Sequence, residues 1–229
     1  MAFCNGSDAQ RMQRLRLKPY VSQSESWPQS GRVILAQHDD QTVVIYQAYS
    51  REIGERAAQH GRLDGAQFRL DRMSWIKTNF MWMMYRSGWG SKPNQECVLA
   101  IWLRRDAFDA ILEQAVHSLF SPEIYGDRET WQHALNRSDV RLQWDPDYSP
   151  KGGKLKRRAI QLGLNGEMLR CYAQEWIVQI EDISKYVQEQ AKYVRDPEML
   201  LTPAEKIYPM KDEAVARRLG LDMWAGKAP

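Results

Sequence analysis

The stretch Arg72–Gly90, RMSWIKTNFMWMMYRSGWG, is the most apolar part of the chain, and the rest is interpreted around it. It contains three of the nine tryptophans and four of the ten methionines, together with three cationic side chains. We predict a single helix here, ended by Gly88 and Gly90, because glycine commonly terminates helices. At about 100° per residue, two columns of side chains then lie next to each other: Arg72, Asn79 and Arg86 in one, and Trp75, Trp82 and Trp89 in the other.

This predicted helix presents cationic and aromatic groups side by side. Guanidinium groups bind oxyanions through a planar fork, and indole rings stack on planar groups. We therefore expect Arg72, Lys77 and Arg86 to bind phosphate groups. Trp82 or Trp89 would stack on a ring of a nucleotide, a dinucleotide or a nucleic-acid end. In the alternative interpretation, the tryptophans pack in the core and the arginines pair with carboxylates, because an unpaired buried cation is costly.

Polar side chains near the ends of predicted strands add further candidates. The run TVVIYQA predicts a buried strand that leads into a helix. Gln47 and Tyr49 lie at the exit of this strand, where ligands often meet polar side chains. Lys92 and Gln95 lie in the loop after the central helix, within reach of the same pocket. The alternatives are that backbone groups satisfy Gln47 at the strand end and that Lys92 faces solvent.

Glu167 is the one carboxylate directly after a predicted buried strand, AIQLGL, and it is a candidate catalytic acid. Glutamate is also favoured at a helix start by the helix macrodipole, so a purely structural role is the alternative. We predict that this residue begins a last long helix running to about Tyr193. The basic segment KGGKLKRR, residues 151–158, lacks the full phosphate-binding P-loop pattern and is interpreted as a solvated hairpin tip.

The composition indicates one globular domain. The 229 residues are 43% hydrophobic and 27% charged, which suits a single core. We predict an α+β fold with a central, mostly antiparallel sheet of five or six short strands flanked by helices. Its parts are a flexible N-terminal arm at 1–30, a core domain at 31–195, and a C-terminal extension at 196–229 with a short helix near Asp212 to Leu219.

Several functional classes are disfavoured. The mean hydropathy of −0.61 and the absence of a long apolar run argue against a membrane span. The three cysteines are widely spaced and the four histidines are scattered, so we expect neither a disulfide framework nor a metal site. No secretory signal is recognised, and we expect a cytoplasmic protein. The net charge of +3 allows an anionic partner such as a nucleotide or nucleic acid.

The combination of several segments is specific to a known family. The segments are VVIYQAYSREIGERAAQHGRL, RMSWIKTNFMWMMYRSGWGSKPNQECVLAIWLRRDAFDAIL, VRLQWDPD and RRAIQLGLNGE. Together they resemble the domain-of-unknown-function family 4291 (DUF4291), over residues 30–220. The resemblance implies a compact single-domain protein, and it assigns neither a reaction nor catalytic residues.

A weaker resemblance is to the ADP-ribosyltransferase-like superfamily. The order of a tyrosine-bearing strand, a helix, an aromatic segment and paired strands is similar to its NAD-binding half. This resemblance implies roles for several residues: Tyr46, Gln47 and Tyr49 near the nicotinamide of NAD, Arg72 or Arg86 at the pyrophosphate, and Glu167 as the catalytic acid. No His/Arg–Tyr/Ser–Glu triad and no acid-x-acid loop of that superfamily can be aligned.

Three hypotheses follow for the function. In the first, the protein is an enzyme acting on a nucleotide or nucleic acid, for example by transferring ADP-ribose from NAD, with Glu167, Tyr49 and Gln47 as catalytic residues. In the second, it is a non-catalytic module that uses the same pocket to bind a nucleic-acid end or a protein. In the third, the aromatic and cationic stretch is entirely core, and the protein acts through the surface of its N- and C-terminal tails.

Overall fold

The computed structural model describes residues 14–222. In chain order, the strands are β1 Leu17–Pro19, β2 Gly31–Arg32, β3 Leu35–Ala36, β4 Thr42–Tyr49, β5 Ser74–Lys77, β6 Cys97–Arg104, β7 Val116–His117, β8 Val140–Tyr148, β9 Lys154–Leu164, β10 Ile177–Asp182, β11 Leu201–Pro203 and β12 Lys206–Ile207. The helices are α1 Tyr20–Ser26, α2 Arg51–His60, α3 Phe80–Ser87, α4 Arg105–Gln114, α5 Pro122–Tyr125, α6 Arg128–Asn136, α7 Gly166–Cys171, α8 Ser184–Ala191 and α9 Glu213–Leu219. A π-helical turn, Tyr172–Trp176, follows α7.

The fold is the predicted single-domain α+β architecture, with a larger sheet than expected. The main sheet has eight strands, in the order β10-β6-β4-β5-β9-β8-β7, and β2 pairs with β9. The β7–β8 and β2–β9 pairs are parallel and the other pairs are antiparallel, so the sheet is mixed. The additional strands are short or lie in segments whose hydrophobic pattern does not distinguish a strand from a helix.

The sheet has an apolar face and a face that carries a polar row. Residues directly opposite each other in neighbouring strands point to the same face. Ile76 faces Leu162 across β5 and β9, and both are buried in the larger core. On the other face, one row crosses four strands in register: Tyr46, Lys77, Gln161 and Gln143. Helix α3 packs over this second face, and its residues join the smaller core.

The predicted helix from Arg72 to Gly90 is wrong in its first half. Residues 74–77 form strand β5, which is paired on both sides, with β4 and with β9. Helix α3 begins only at Phe80, because the Asn79 side chain accepts a hydrogen bond of 2.7 Å from the Trp82 amide and caps the helix. Arg72 therefore lies outside the helix that carries Arg86, and the two predicted columns do not form.

The predicted last long helix, residues 166–193, is also wrong. It is divided into α7, the π-helical turn, strand β10 and α8. The segment Ile177–Asp182 pairs with β6 at the edge of the main sheet, so tertiary pairing outweighs its helical periodicity. Asp182 then accepts hydrogen bonds from the Ser184 amide and hydroxyl, where α8 begins.

Both ends of the described chain pack on the core. Residues 1–13 of the predicted N-terminal arm lie outside the described residues. The rest of the arm contributes β1, which pairs with β11, and the buried Trp27, whose indole N–H donates to the Glu205 carbonyl at 3.0 Å. The short helix predicted near Asp212 to Leu219 is found at Glu213–Leu219, and the Asp212 side chain caps it. None of the helices in residues 14–222 has the length and apolarity needed to cross a bilayer.

Candidate functional site

The central feature of the polar face is a buried lysine without an ionic partner. Lys77 is 5% exposed, and within residues 14–222 its ammonium forms no hydrogen bond or ion pair. Its Nζ lies 5.5 Å from the centroid of the Trp82 ring. Burial and, to a smaller extent, the nearby Arg86 together lower the pKa of Lys77 to about 8, and Asp145 opposes this shift. We call Lys77, Trp82, Arg86, Asp145 and Gln161 the Lys77 site.

Local structure explains how the lysine comes to lie under an indole. Lys77 is the last residue of β5, a strand with neighbours on both sides, so the base of its side chain is buried in the sheet. Asn79 caps α3 two residues later and turns the chain over the same face. Trp82 and Arg86 are four residues apart on α3 and therefore share one side of the helix. A single capped turn thus places an indole and a second cation close to the ammonium.

Asp145 is the acid whose charge acts on the pKa of Lys77, and it accepts a hydrogen bond from the side-chain amide of Gln161. The Gln161 Nε2 donates to Asp145 Oδ2 at 2.6 Å and to Gln143 Oε1 at 2.7 Å. Burial raises the pKa of Asp145, while hydrogen bonding and the charge of Lys77 oppose that rise. The carboxylate influences Lys77 through space but does not reach ion-pair distance, so it does not neutralise the ammonium by contact.

Three buried polar atoms, on β4, just after β5 and on α3, have no hydrogen-bond partner among the described residues. They are Tyr46 Oη, Thr78 Oγ1 and Trp82 Nε1. The Trp82 indole lies close enough to Asp145 to lower its pKa, but without the geometry of a hydrogen bond. Buried polar groups are satisfied in the large majority of cases, so the unpaired Trp82 indole N–H beside Lys77 indicates a place that a ligand or water completes.

A second buried charge group lies at the start of α3 and is fully paired. Arg157 Nη2 lies 2.6 Å from Asp147 Oδ2, with both side chains almost completely buried. Glu205 Oε1 accepts the Phe80 amide at 2.6 Å, and burial raises the pKa of Glu205 well above its ordinary value. The Asn79 amide lies 3.5 Å from both carboxylates. Arg157 therefore has the protein carboxylate that Lys77 lacks.

The other predicted ligand-binding residues are dispersed. Arg72 and Arg86 are both exposed, and only Arg86 belongs to the Lys77 site. Trp89 has a left-handed backbone conformation, φ 57°, and its ring packs edge-on against Phe80 in the smaller core. Lys92 Nζ donates to the Arg86 carbonyl at 2.7 Å and so closes the C-terminus of α3. Gln95 is half-buried in the following loop.

Gln47 and Tyr49 lie on the opposite face of the sheet from Lys77. Gln47 Nε2 donates to the Ser74 hydroxyl at 2.9 Å, and the Tyr172 hydroxyl donates to Gln47 Oε1 at 2.5 Å. The Tyr49 hydroxyl lies 3.1 Å from the same Ser74 oxygen. These side chains bind β4 to β5 and to the π-helical turn, and within residues 14–222 their hydrogen-bonding capacity is used by the fold.

Glu167 is an exposed residue in the first turn of α7. It forms an ion pair of 2.7 Å with Arg170, which lowers its pKa, and it accepts a contact from the Cys171 thiol. The structure gives it no contact with Gln47 or Tyr49 in residues 14–222. The three residues predicted to be catalytic are thus not brought together as a contact group.

Comparison with known proteins places this geometry in a family. The model of a domain of unknown function, DUF4291, matches residues 33–208, which is most of the chain. The chain belongs to the DUF4291 family. A search of curated proteins returns no match. The matched DUF4291 region contains the whole Lys77 site and both carboxylates of the Arg157 group. The comparisons support the first resemblance noted above and lend no support to the ADP-ribosyltransferase-like one.

Sequence reasoning identified Lys77, Trp82 and Arg86 but missed Asp145 and Gln161. Asp145 lies in the segment VRLQWDPD and Gln161 in the predicted buried strand AIQLGL, and neither local pattern marks them as site residues. Their proximity to Lys77 depends on the pairing of β5, β9 and β8, which joins residues far apart in the chain. The available signal is that Gln143 alternates with Leu142 and Trp144, and Gln161 alternates with Ile160 and Leu162, which places each glutamine on the side of its strand opposite the apolar residues.

Proposed function

We propose that the protein binds the phosphate of a nucleotide or of a nucleic-acid end between Lys77 and Arg86. The observation that carries this proposal is the buried Lys77, whose ammonium has no acid in contact among residues 14–222 and has a second cation nearby. Two adjacent cations repel each other, and an oxyanion placed between them removes that repulsion. Arg157 on β9 provides a contrast, because this buried cation forms an ion pair with Asp147.

An aromatic surface beside Arg86 supports a ligand with a planar ring. Tyr85 is 42% exposed, and its ring stacks on Tyr148 with centroids 3.5 Å apart and planes 8° from parallel. Lys92 Nζ lies 5.9 Å from the Tyr85 ring centroid. Bases stack on aromatic side chains with little dependence on sequence, and cations near them hold the backbone. A nucleotide supplies both chemical groups that this arrangement accommodates.

The binding form of the proposal is preferred to a catalytic one. Transfer of ADP-ribose from NAD requires an acid near the reacting sugar, and Glu167 is occupied by Arg170 on the protein surface. Asp145 is the carboxyl group that affects the pKa of Lys77, but its Oδ2 already accepts a hydrogen bond from Gln161. These placements favour recognition of a phosphate over chemistry at a neighbouring carbon.

The proposal is tested by ligand-dependent thermal stability. ATP, GTP, NAD, a short RNA and a short DNA are each added to the wild type and to Lys77→Met. A ligand at about one hundred times its Kd raises the wild-type melting temperature by about 5–10 °C. Lys77→Met is expected to abolish this rise, because it keeps the side-chain volume and removes the charge. Lys185→Met, which removes an exposed lysine on α8, is the matched control and keeps the full rise.

Two outcomes contradict the proposal. The first is a wild-type protein whose melting temperature none of the five ligands changes. The second is an unchanged ligand response in Lys77→Met. A response limited to the oligonucleotides identifies a nucleic-acid end as the ligand, and a response to NAD alone leads to a direct assay of transfer with labelled NAD.

A further inference from the structure

The outer edge of the main sheet contains a cavity that the Lys77 site does not use. Strand β7 pairs with only two residues of β8, Arg141 and Leu142, and ends at His117. Beyond that point, no described strand covers the outer edge of β8. A cavity of about 340 Å³ occupies this position, between β8 and the loop that follows β7. Its volume is within the range of small-molecule sites.

Two buried polar atoms at this cavity lack partners. His117 is 8% exposed, and neither its Nε2 nor the Ser118 hydroxyl has a hydrogen-bond partner among the described residues. The Leu219 carbonyl, which accepts the Trp144 indole N–H at 2.8 Å, is close enough to raise the pKa of His117 but does not form a hydrogen bond of normal geometry with Nε2. His117 Nδ1 is occupied by the Tyr125 hydroxyl at 3.1 Å, which leaves Nε2 as the free position of the ring.

The cavity carries an excess of positive charge. Arg32 and Arg158 both line it, and the described residues place no carboxylate within ion-pair distance of either guanidinium. Asp145 is the acid in the lining, and one of its oxygens already accepts from Gln161. Burial and the charge of Arg32 lower the pKa of His117 to about 4, so the imidazole is neutral at pH 7. Two guanidinium groups and one carboxyl group thus face the same space.

The remaining walls are aromatic and apolar. Phe120 and Trp144 line the cavity, and Arg128 lies over the Phe120 ring at 5.0 Å from its centroid. Leu119 also lines the cavity, and it is 77% exposed. Apolar walls with a few convergent polar groups are typical of small-molecule sites. Such walls suit a ligand with an aromatic ring better than they suit a hydrated ion.

We propose that this cavity binds a small aromatic acid, a single ring system bearing one carboxylate or phosphate group. Arg158 and Arg32 hold the oxyanion, Phe120 and Trp144 contact the ring, and the unpaired atoms of His117 and Ser118 hydrogen-bond to its polar substituents. This site does not depend on binding at Lys77. The two sites share only Asp145.

The test uses four compounds that separate ring from charge. Indole-3-carboxylate and AMP each combine a ring with an oxyanion, adenosine has the ring alone, and inorganic phosphate has the oxyanion alone. Isothermal titration calorimetry is expected to show binding of at least one of the first two, and much weaker binding of adenosine and phosphate. Arg158→Gln is expected to weaken that binding about tenfold or more. Arg137→Gln, another exposed arginine outside the cavity, is the matched control and leaves it unchanged.

A charge pair at the cavity mouth gives an independent measure. Leu119→Glu and Leu119→Lys alter an exposed position and differ in sign, so they are expected to shift the Kd about two- to fivefold in opposite directions. The ligand should also change the ¹⁵N shift of His117 Nε2, which a purely structural role of the arginines does not predict. Lys77→Met is expected to leave the affinity for indole-3-carboxylate unchanged, so the proposals for the Lys77 site and for the cavity are tested separately.

The proposal is overturned in two cases. One is the absence of binding of both ring-bearing acids to the wild type. The other is binding that Arg158→Gln and both Leu119 variants leave unaltered. If AMP binding is lost only in Lys77→Met, the nucleotide site stands and the cavity site does not.

Discussion

Lys77 illustrates a conflict between stability and binding at a single residue. Burial disfavours its charged form, so the ammonium lowers the stability of the unliganded fold. The same desolvated charge interacts more strongly with a bound anion than an exposed lysine does. A residue retained only for stability would instead have an apolar side chain at this position, because replacing a buried ion by a hydrophobic residue is often neutral or stabilising.

Replacement of Lys77 by methionine is therefore expected to stabilise the unliganded protein. A folded-state pKa of about 8, against 10.5 for an unperturbed lysine, corresponds to about 3 kcal/mol at pH 7. Urea unfolding at pH 7 measures the gain, and Lys185→Met, at an exposed position, should change stability by less than about 0.5 kcal/mol. Destabilisation by Lys77→Met would show that the ammonium makes a favourable interaction with the protein.

The same shift predicts a pH dependence with a definite sign. Between about pH 8 and 10.5 the unfolded chain binds more protons at Lys77 than the folded protein does, so wild-type stability rises with pH in this window. Lys77→Met lacks this contribution. The stability difference between the variant and the wild type should then shrink from pH 8 to pH 10.5. A difference that stays constant over this range would contradict the lowered pKa.

At the scale of elements, the start of α3 determines the site. Asn79 turns the chain out of β5 and places Trp82 over Lys77. Asn79→Ala is expected to lower the free energy of unfolding by about 1–2 kcal/mol, since it removes a side-chain cap. Asn165 stands at the same cap position of α7 but makes no capping hydrogen bond. Asn165→Ala is thus the control, and equal losses in the two variants would exclude the capping role.

How far the sequence predicts this fold depends on which interaction dominates each element. Strand β4, the C-terminal helix and the α+β class follow from local patterns, which the structure confirms. Strand β5 does not, because its four residues sit inside an apolar run with helical periodicity and only pairing with β4 and β9 makes them extended. For the site, the local signal was a cation within an apolar run, and it identified Lys77 and its neighbours Trp82 and Arg86. Asp145 and Gln161 join them through strand register, which single-sequence patterns do not encode.

At the scale of the whole molecule, a buried ion pair joins distant segments. Arg157 on β9 binds Asp147 on β8, and its Nη1 donates to the Pro28 carbonyl at 2.7 Å. Arg157→Met is expected to cost about 3–5 kcal/mol, because it leaves Asp147 buried without a counter-charge. Asp147→Asn combined with Arg157→Met should recover part of the loss. Urea unfolding of the two variants checks this, and a double variant no more stable than the single one would contradict it.

Glu205 connects the C-terminal segment to α3 and is expected to respond to pH. Burial raises its folded-state pKa well above the ordinary value of 4.5. The stability it contributes in its protonated form is present below about pH 4.5 and is lost as pH rises through the folded-state pKa. Glu205→Gln mimics the protonated form and keeps an acceptor for the Phe80 amide. Its stability relative to the wild type should increase from pH 4.5 upwards, and a constant difference would place the folded pKa near its ordinary value.

The contact between Glu205 and the first amide of α3 also has a consequence for the order of assembly. A ribosome delivers Phe80 long before it delivers Glu205, 125 positions later. The nascent chain can pair β4 with β6 before the Glu205 carboxylate is available to accept the hydrogen bond from the Phe80 amide. Premature termination between Asp182 and Ala204 would therefore release a protein that has most of the main sheet but lacks the acceptor for the start of α3, and we expect quality-control proteases to remove it.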